Sequence, residues 1–277
     1  MNTLTFRILD QTVQHLAHTG VRYTEAQLFY AVCTTLLAPL RSALKHLRLA
    51  VTLPTPLART RFRQSLRQWI DRYGSPPTGL LPSPSVTVPE YVSAFAEELD
   101  RYGIPQILIC QEETIAEMLR ANMVELELAC PVFTTSDWPL PPLIVTALRR
   151  ATRPRVLLLH EASANGLGWA WRCTTTAPPA LHVQPIGLRP RHAKALRLCA
   201  QRGLPPPVFT ELALAYDEMR WLHRGWQAEL AAVHPIKLVR ALRAIVYAAP
   251  TPVSWPERWR FFVNSGFMSW PMWKEPL

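Results

Sequence analysis

Ile104-Pro105-Gln106-Ile107-Leu108-Ile109-Cys110, with Gln111-Glu112-Glu113 directly after it, reads as a buried strand that runs into a helix. The apolar run lacks the alternation of a strand with one wet face, so both sides are expected to be covered. Three similar runs follow at Ala129–Phe133, Val156–His160 and Leu181–Ile186, and Glu112–Ala121 and Pro141–Ala151 between them have helical spacing. Short apolar strands that alternate with helices predict an α/β unit, a four-stranded parallel sheet with helices on both faces. Ligands in such sheets bind off the carboxyl ends of the strands. Those ends carry Gln111, Glu112 and Glu113, then Thr134 and Thr135, then His160, Glu161 and Ser163.

Outward toward the N-terminus the pattern changes to helices. Apolar residues recur at Leu4, Ile8, Leu9, Val13, Leu16 and Ala17, which predicts a helix over Thr3–His18 with Gly20 as its stop. Thr24-Glu25-Ala26-Gln27 has the form of a capping box and predicts a second helix from Glu25 to Leu37. A third, Arg59–Tyr73, places Arg59, Arg61, Arg63, Arg67 and Arg72 around an apolar stripe of Phe62, Leu66, Trp69 and Ile70. Three compact helices of which the last is basic admit a winged-helix or helix-turn-helix arrangement. Gly74 through Pro89 carries five prolines and ends regular structure, with a bridging helix expected over Glu90–Tyr102. The chain thus divides into a helical, winged-helix-like domain at 1–75, a linker at 76–103, an α/β domain at 104–202 and a helical and aromatic C-terminal extension at 203–277. In that extension helices are expected at Thr210–His223, Gly225–Val233 and Pro235–Tyr247. An aromatic strap is expected over Trp255–Trp273.

Composition limits the function classes. Hydrophobic residues make up 49% of 277, which excludes a generally disordered chain. The formal charge is +10, and only 4 of the 30 basic residues are Lys. Guanidinium forks grip phosphate or carboxylate in two places, so a polyanion partner is one reading; a compositional bias toward Arg is the other. The five cysteines are scattered within apolar runs and have no C-x-x-C spacing, as expected of reduced, buried thiols in a cytoplasmic protein. No apolar window is long enough for a membrane span.

Nucleotide-binding fingerprints are absent: Gly166-Leu167-Gly168 is a G-x-G without its further glycine. Ser163, His160 and Asp137 could be enlisted as a hydrolase triad, but no G-x-S-x-G accompanies them. More informative are acidic positions on neighbouring strand ends, since a hard cation needs several oxygens converging from fixed elements.

The strings ILICQEETIAEML (107–119) and LLLHEASANGL (157–167), in this order of elements, resemble a Toprim domain. In that domain a strand-end Glu and a strand-end D-x-D followed by a glycine bind magnesium. In the topoisomerase VI A subunit and its meiotic double-strand-break relatives, a winged-helix domain with a nucleophilic tyrosine precedes Toprim. Thr24-Glu25-Ala26-Gln27-Leu28-Phe29-Tyr30 is similar to the tyrosine motif, with Tyr30 in the place of the nucleophile. The resemblance spans Arg22 to Ala200 and departs at decisive points. Ala26 replaces the motif's Arg, Gln111 the Toprim Glu, and Glu161 and Ser163 the D-x-D.

The resemblance implies magnesium as the cofactor, with Gln111, Glu112, Glu113, Glu161 and Ser163 as a diluted ligand set. Tyr30 would share a groove with them within one chain or across a homodimer. The first expectation is a pseudoenzyme that binds DNA or another polyanion through Arg59, Arg61, Arg63, Arg67, Arg72, Arg189 and Arg191 and does not cleave it. A magnesium-dependent strand-cleaving enzyme using Tyr30 is the second. A basic scaffold for an acidic protein partner is the third.

Overall fold

The computed structural model describes residues 3–82, 103–152, 154–179, 181–203 and 214–247. In chain order its elements are α1 (Thr3–His18), α2 (Glu25–Leu36), α3 (Ala38–His46), β1 (Leu53–Pro54), α4 (Arg59–Tyr73), β2 (Gln106–Cys110), α5 (Glu113–Ala121), α6 (Val124–Leu128) and β3 (Val132–Thr134). There follow α7 (Pro142–Arg150), β4 (Arg155–Leu159), α8 (Ala164–Thr176), β5 (His182–Pro185), α9 (Pro190–Ala195), β6 (Cys199–Arg202), α10 (Tyr216–His223), β7 (Trp226–Gln227) and α11 (Pro235–Tyr247). Single 3₁₀ turns lie at Thr135–Asp137 and Leu230–Ala232. The expected bridging helix and aromatic strap fall outside the described residues.

The chain forms two compact units, each drawn from separated segments. Of the described residues, those within 3–82, 162–164, 189–203 and 214–238 form one, and those within 103–161, 165–188 and 239–247 the other. The N-terminal helices therefore share a unit with residues 189–202, expected in the α/β domain, and with 214–238 of the expected extension.

The second unit contains the parallel sheet, in the order β3-β2-β4-β5 with every pair parallel. Every residue of β2 is buried, which is why its sequence shows no alternation. Ile107, Ile109, Val156 and Leu158 pack with Ile144, Ala147 and Leu148 of α7 and with Ala170 and Cys173 of α8. By the two-residue period Leu108 and Cys110 face the other way, and α5 covers that side with Ile115, Ala116, Met118 and Leu119. The α/β character and the helices on both faces follow. β5 is the edge strand and shows it, with His182 exposed and only Pro185 buried. Because β2 is central, the chain leaves it toward β3 and returns across it to β4. The crossover direction reverses between β2 and β4, and the crevice of an open sheet lies at such a switch.

The first unit packs α1 against α2 and α4 beside a small sheet in the order β1-β6-β7. β1 runs parallel to β6, and β7 runs antiparallel to it. Two expectations are corrected here. Four helices, not three, precede the proline-rich tract, since α3 breaks from α2 at Leu37 with Pro39 in its first turn. Gly225–Val233 is not helical: Gly225 adopts φ +75°, Trp226–Gln227 pair with β6, and only Leu230–Ala232 turn.

All five cysteines are free and buried. Burial pushes the Cys33 and Cys130 thiols up to about 12 and that of Cys173 to about 11. No helix among the described residues is long and apolar enough to cross a membrane.

After β5 the chain passes against the end of β4 so closely that only glycine fits. A Cβ on Gly187 would lie 2.1 Å from the His160 carbonyl oxygen, and the Leu188 amide donates to that oxygen at 2.7 Å. A Cβ at Gly20, with φ +66°, would meet nothing within 4 Å. Gly187→Ala should therefore destabilise the chain by about 3 kcal/mol through displaced backbone. Gly20→Ala should cost about 1 kcal/mol of left-handed strain alone. Urea unfolding followed by circular dichroism measures both, and equal losses would refute the close approach.

Candidate functional site

Tyr30 is placed by the start of its helix. Thr24 Oγ1 accepts the Gln27 amide at 3.1 Å and Gln27 Oε1 accepts the Thr24 amide at 3.0 Å, so the capping box read from the sequence is present. This sets the phase of α2 and turns Leu28, Phe29, Tyr30, Val32 and Cys33 into the core of the first unit. Tyr30 is 1% exposed.

Its hydroxyl meets two side chains from distant parts of the chain. Gln201 on β6 lies 2.9 Å away, and Arg59 Nη2, at the first residue of α4, lies 3.5 Å away. With Gln201 Oε1 turned inward every donor finds an acceptor: it takes the Tyr30 hydroxyl at 2.9 Å and Arg59 Nε and Nη2 at 3.2 Å each. The Arg59 guanidinium also lies 5.2 Å from the Phe29 ring centroid and 5.6 Å from that of Tyr30, and it pairs with the Glu229 carboxylate. Burial disfavours its charge, but Glu229 and then Tyr30 outweigh this and hold the guanidinium above its usual range. An arginine thus stands beside the tyrosine, although Ala26 stands where the resemblance would put one. It arrives from another helix.

In the second unit Gln111 stands at the switch point. Its amide N–H donates to the Leu159 carbonyl at 2.8 Å, and its Oε1 accepts the Glu161 N–H at 2.9 Å, which ties the end of β2 to the end of β4. Gly166 closes over this contact: a Cβ there would sit 2.6 Å from Gln111 Oε1 and 2.7 Å from the Glu161 carbonyl. Glu112 is the N-cap residue of α5 and accepts from Thr114 at 3.4 Å, and Glu113 lies in the first turn, where a carboxylate favours the helix dipole. Ser163 is grouped with the first unit, not with Gln111, Glu112, Glu113 and Glu161. Among the described residues no three His, Cys, Asp or Glu side chains come together to hold a metal ion. The Gln111 oxygen at this strand end is neutral and turned onto a backbone amide.

Of the triad candidates, two have evident structural partners. Asp137 Oδ2 accepts the Thr134 amide at 2.7 Å and its hydroxyl at 3.0 Å as a turn cap, and buried His160 directs Nδ1 to the Glu161 carbonyl at 3.0 Å.

The seven arginines divide. Arg61, Arg63, Arg67 and Arg72 on α4 are exposed. Helical phase puts Arg61 and Arg72 on one flank of the buried stripe of Phe62, Leu66 and Trp69, and Arg63 and Arg67 on the other. Arg63 pairs with Glu25 at 2.6 Å, and Arg72 lies over the Phe6 ring at 5.4 Å. Arg189 is different: it is 4% exposed and grips the buried Glu218 with Nε and Nη2. The same carboxylate accepts the Arg191 amide at 3.3 Å and the Ala215 amide at 3.2 Å. Burial and the neighbouring Arg189 charge together lower Arg191 below its usual range.

A pocket of about 450 Å³ opens in the first unit beside these groups, lined among others by Phe29, Thr55, Arg59, Gln201, Arg202 and Trp226. Compared with protein families, curated proteins and solved structures, the chain matches none.

Sequence reading missed Gln201, Glu229, Trp226 and Glu218. The first two lie about 170 residues from their partners, so no local pattern points to them.

The Arg189–Glu218 pair joins α9 to α10. Glu218→Gln should cost about 3 kcal/mol by leaving a buried guanidinium without its counter-charge. Lys194–Asp217, an exposed pair between the same helices at 2.9 Å, should give less than about 1 kcal/mol when Asp217 is replaced by Asn. Comparable losses in chemical denaturation would show that Arg189 is not held this way.

Proposed function

We propose that the chain is a nucleic-acid-binding protein, a reduced relative of the topoisomerase VI A subunit that holds a strand without cleaving it. In this reading the first unit is winged-helix-like and the second Toprim-like. The order of tyrosine motif, basic helix and parallel sheet supports that assignment. So does Gly166, which follows the Glu161-Ala162-Ser163 turn where the Toprim pattern has its glycine, and which the packing on Gln111 makes obligatory.

One observation carries the absence of cleavage: the Tyr30 hydroxyl is buried, with Gln201 and Arg59 against it. A nucleophile must come within about 3.5 Å of the reacting phosphorus and lose its proton to a base. Here the phenol donates to a carboxamide oxygen, which is no base, and the cation beside it is engaged by Glu229. At the strand ends Gln111 offers a neutral oxygen already turned onto the Glu161 amide. Both points weigh against the second expectation, a strand-cleaving enzyme.

Binding falls to α4. Its arginines at 61, 63, 67 and 72 extend over about 16 Å of helix on two flanks, enough to follow successive phosphates. Arg189, tied to Glu218, belongs to the fold.

Fluorescence anisotropy with a labelled 20-base-pair duplex tests this. Affinity should fall as salt rises, with a log–log slope near −0.9 for each phosphate contacted. Replacing Arg61, Arg67 and Arg72 by Gln should flatten the slope by about 2 to 3 and weaken binding at least tenfold. Binding that ignores salt, or no binding to duplex or single strand at low salt, would refute the reading and leave the basic scaffold in its place.

A further inference from the structure

The pocket beside Tyr30 is not accounted for by a helix that tracks phosphates. Its volume of about 450 Å³ lies in the range of small-molecule sites. Its walls come from the end of β1 and the loop after it, the first turn of α4, and the strands β6 and β7. Two lining residues are cationic, Arg59 and Arg202, and none is acidic. The floor is apolar where Phe29 lines it, and the half-buried indole of Trp226 is a further aromatic lining group. Gln201 and Thr55 add hydrogen-bonding groups.

Each feature selects for one part of a nucleotide. Guanidinium groups favour a phosphate monoester, which carries close to two charges at neutral pH, over a diester with one. Arg202 is held in place by donating Nε–H to the Arg224 carbonyl at 3.1 Å. Ala58, the N-cap of α4, has no side-chain acceptor for the first-turn amides, so the positive end of the dipole adds to the two cations. An indole face stacks on any base, with no need to read its edge. Glu229 neutralises part of the Arg59 charge, so Arg202 carries the discrimination between an esterified and a bare phosphate.

We propose that this pocket binds a nucleoside monophosphate unit, free or as the phosphorylated end of a strand, with phosphate on Arg202 and Arg59 and base on Trp226. The proposal does not depend on α4 binding a duplex.

Calorimetric titration of the full chain with adenosine 5′-monophosphate and with adenosine tests it. The monophosphate should bind at least tenfold more tightly. Arg202→Gln, a change at an exposed residue, should abolish that difference, and Trp226→Leu should weaken both ligands together. Arg61, Arg67 and Arg72 replaced by Gln should leave the monophosphate affinity within twofold, which separates this site from the α4 surface. Thymidine tetranucleotides with a 5′ phosphate, a 3′ phosphate or neither identify the source. Preference for a phosphorylated end supports a strand terminus, and competition by the mononucleotide alone supports a free nucleotide. Equal affinity for monophosphate and nucleoside, or a difference that survives Arg202→Gln, overturns the proposal.

Discussion

A single guanidinium, that of Arg59, ties together four segments of the first unit. It joins α4 to Tyr30 and Phe29 on α2, to Gln201 on β6 and to Glu229 just before the 3₁₀ turn. The Arg59 and Glu229 side chains are 37% and 23% exposed, so solvent screens much of their Coulombic attraction. The greater weight lies in satisfying four polar groups over an aromatic floor. Without the guanidinium, Glu229 would keep a half-buried charge and Gln201 would lose two donors. The same contacts that secure the packing close off the phenol. The packing of this end and the burial of the Tyr30 hydroxyl have one cause.

The second unit meets a comparable constraint with a neutral group. A buried parallel sheet ends in backbone amides that need acceptors, and at the switch point Gln111 supplies one to Glu161. Through the neutral glutamine side chain the two strand ends are joined. Gly166 and Gly187 then let the following segments pack against bare backbone.

The legible parts of the fold were those whose signal is local and repeated. Periodicity located α1 and α4 at their observed bounds, and the capping box located the start of α2. Continuous apolar runs located the four strands of the parallel sheet to within a few residues, because burial on both faces marks nearly every position of the inner strands β2 and β4. The small sheet was illegible. β1 and β7 have two residues each and β6 four, too few for any period. Of the site, Tyr30 and Arg59 were both singled out, but for separate roles. That they touch depends on α2 and α4 packing together, which no spacing encodes. Arg189 was read as surface because its partner, Glu218, lies 29 residues further on.

In the proposed reading, binding without cutting would follow from where one hydroxyl is held. The most direct measurement is covalent trapping: the chain is incubated with labelled duplex DNA and magnesium or manganese, denatured, and resolved by electrophoresis. Duplex should be retained under native conditions and fully released on denaturation, with no protein-linked strand. A linked strand that disappears in Tyr30→Phe would contradict the account, since it would require the hydroxyl to leave Gln201 and Arg59 and reach a phosphate.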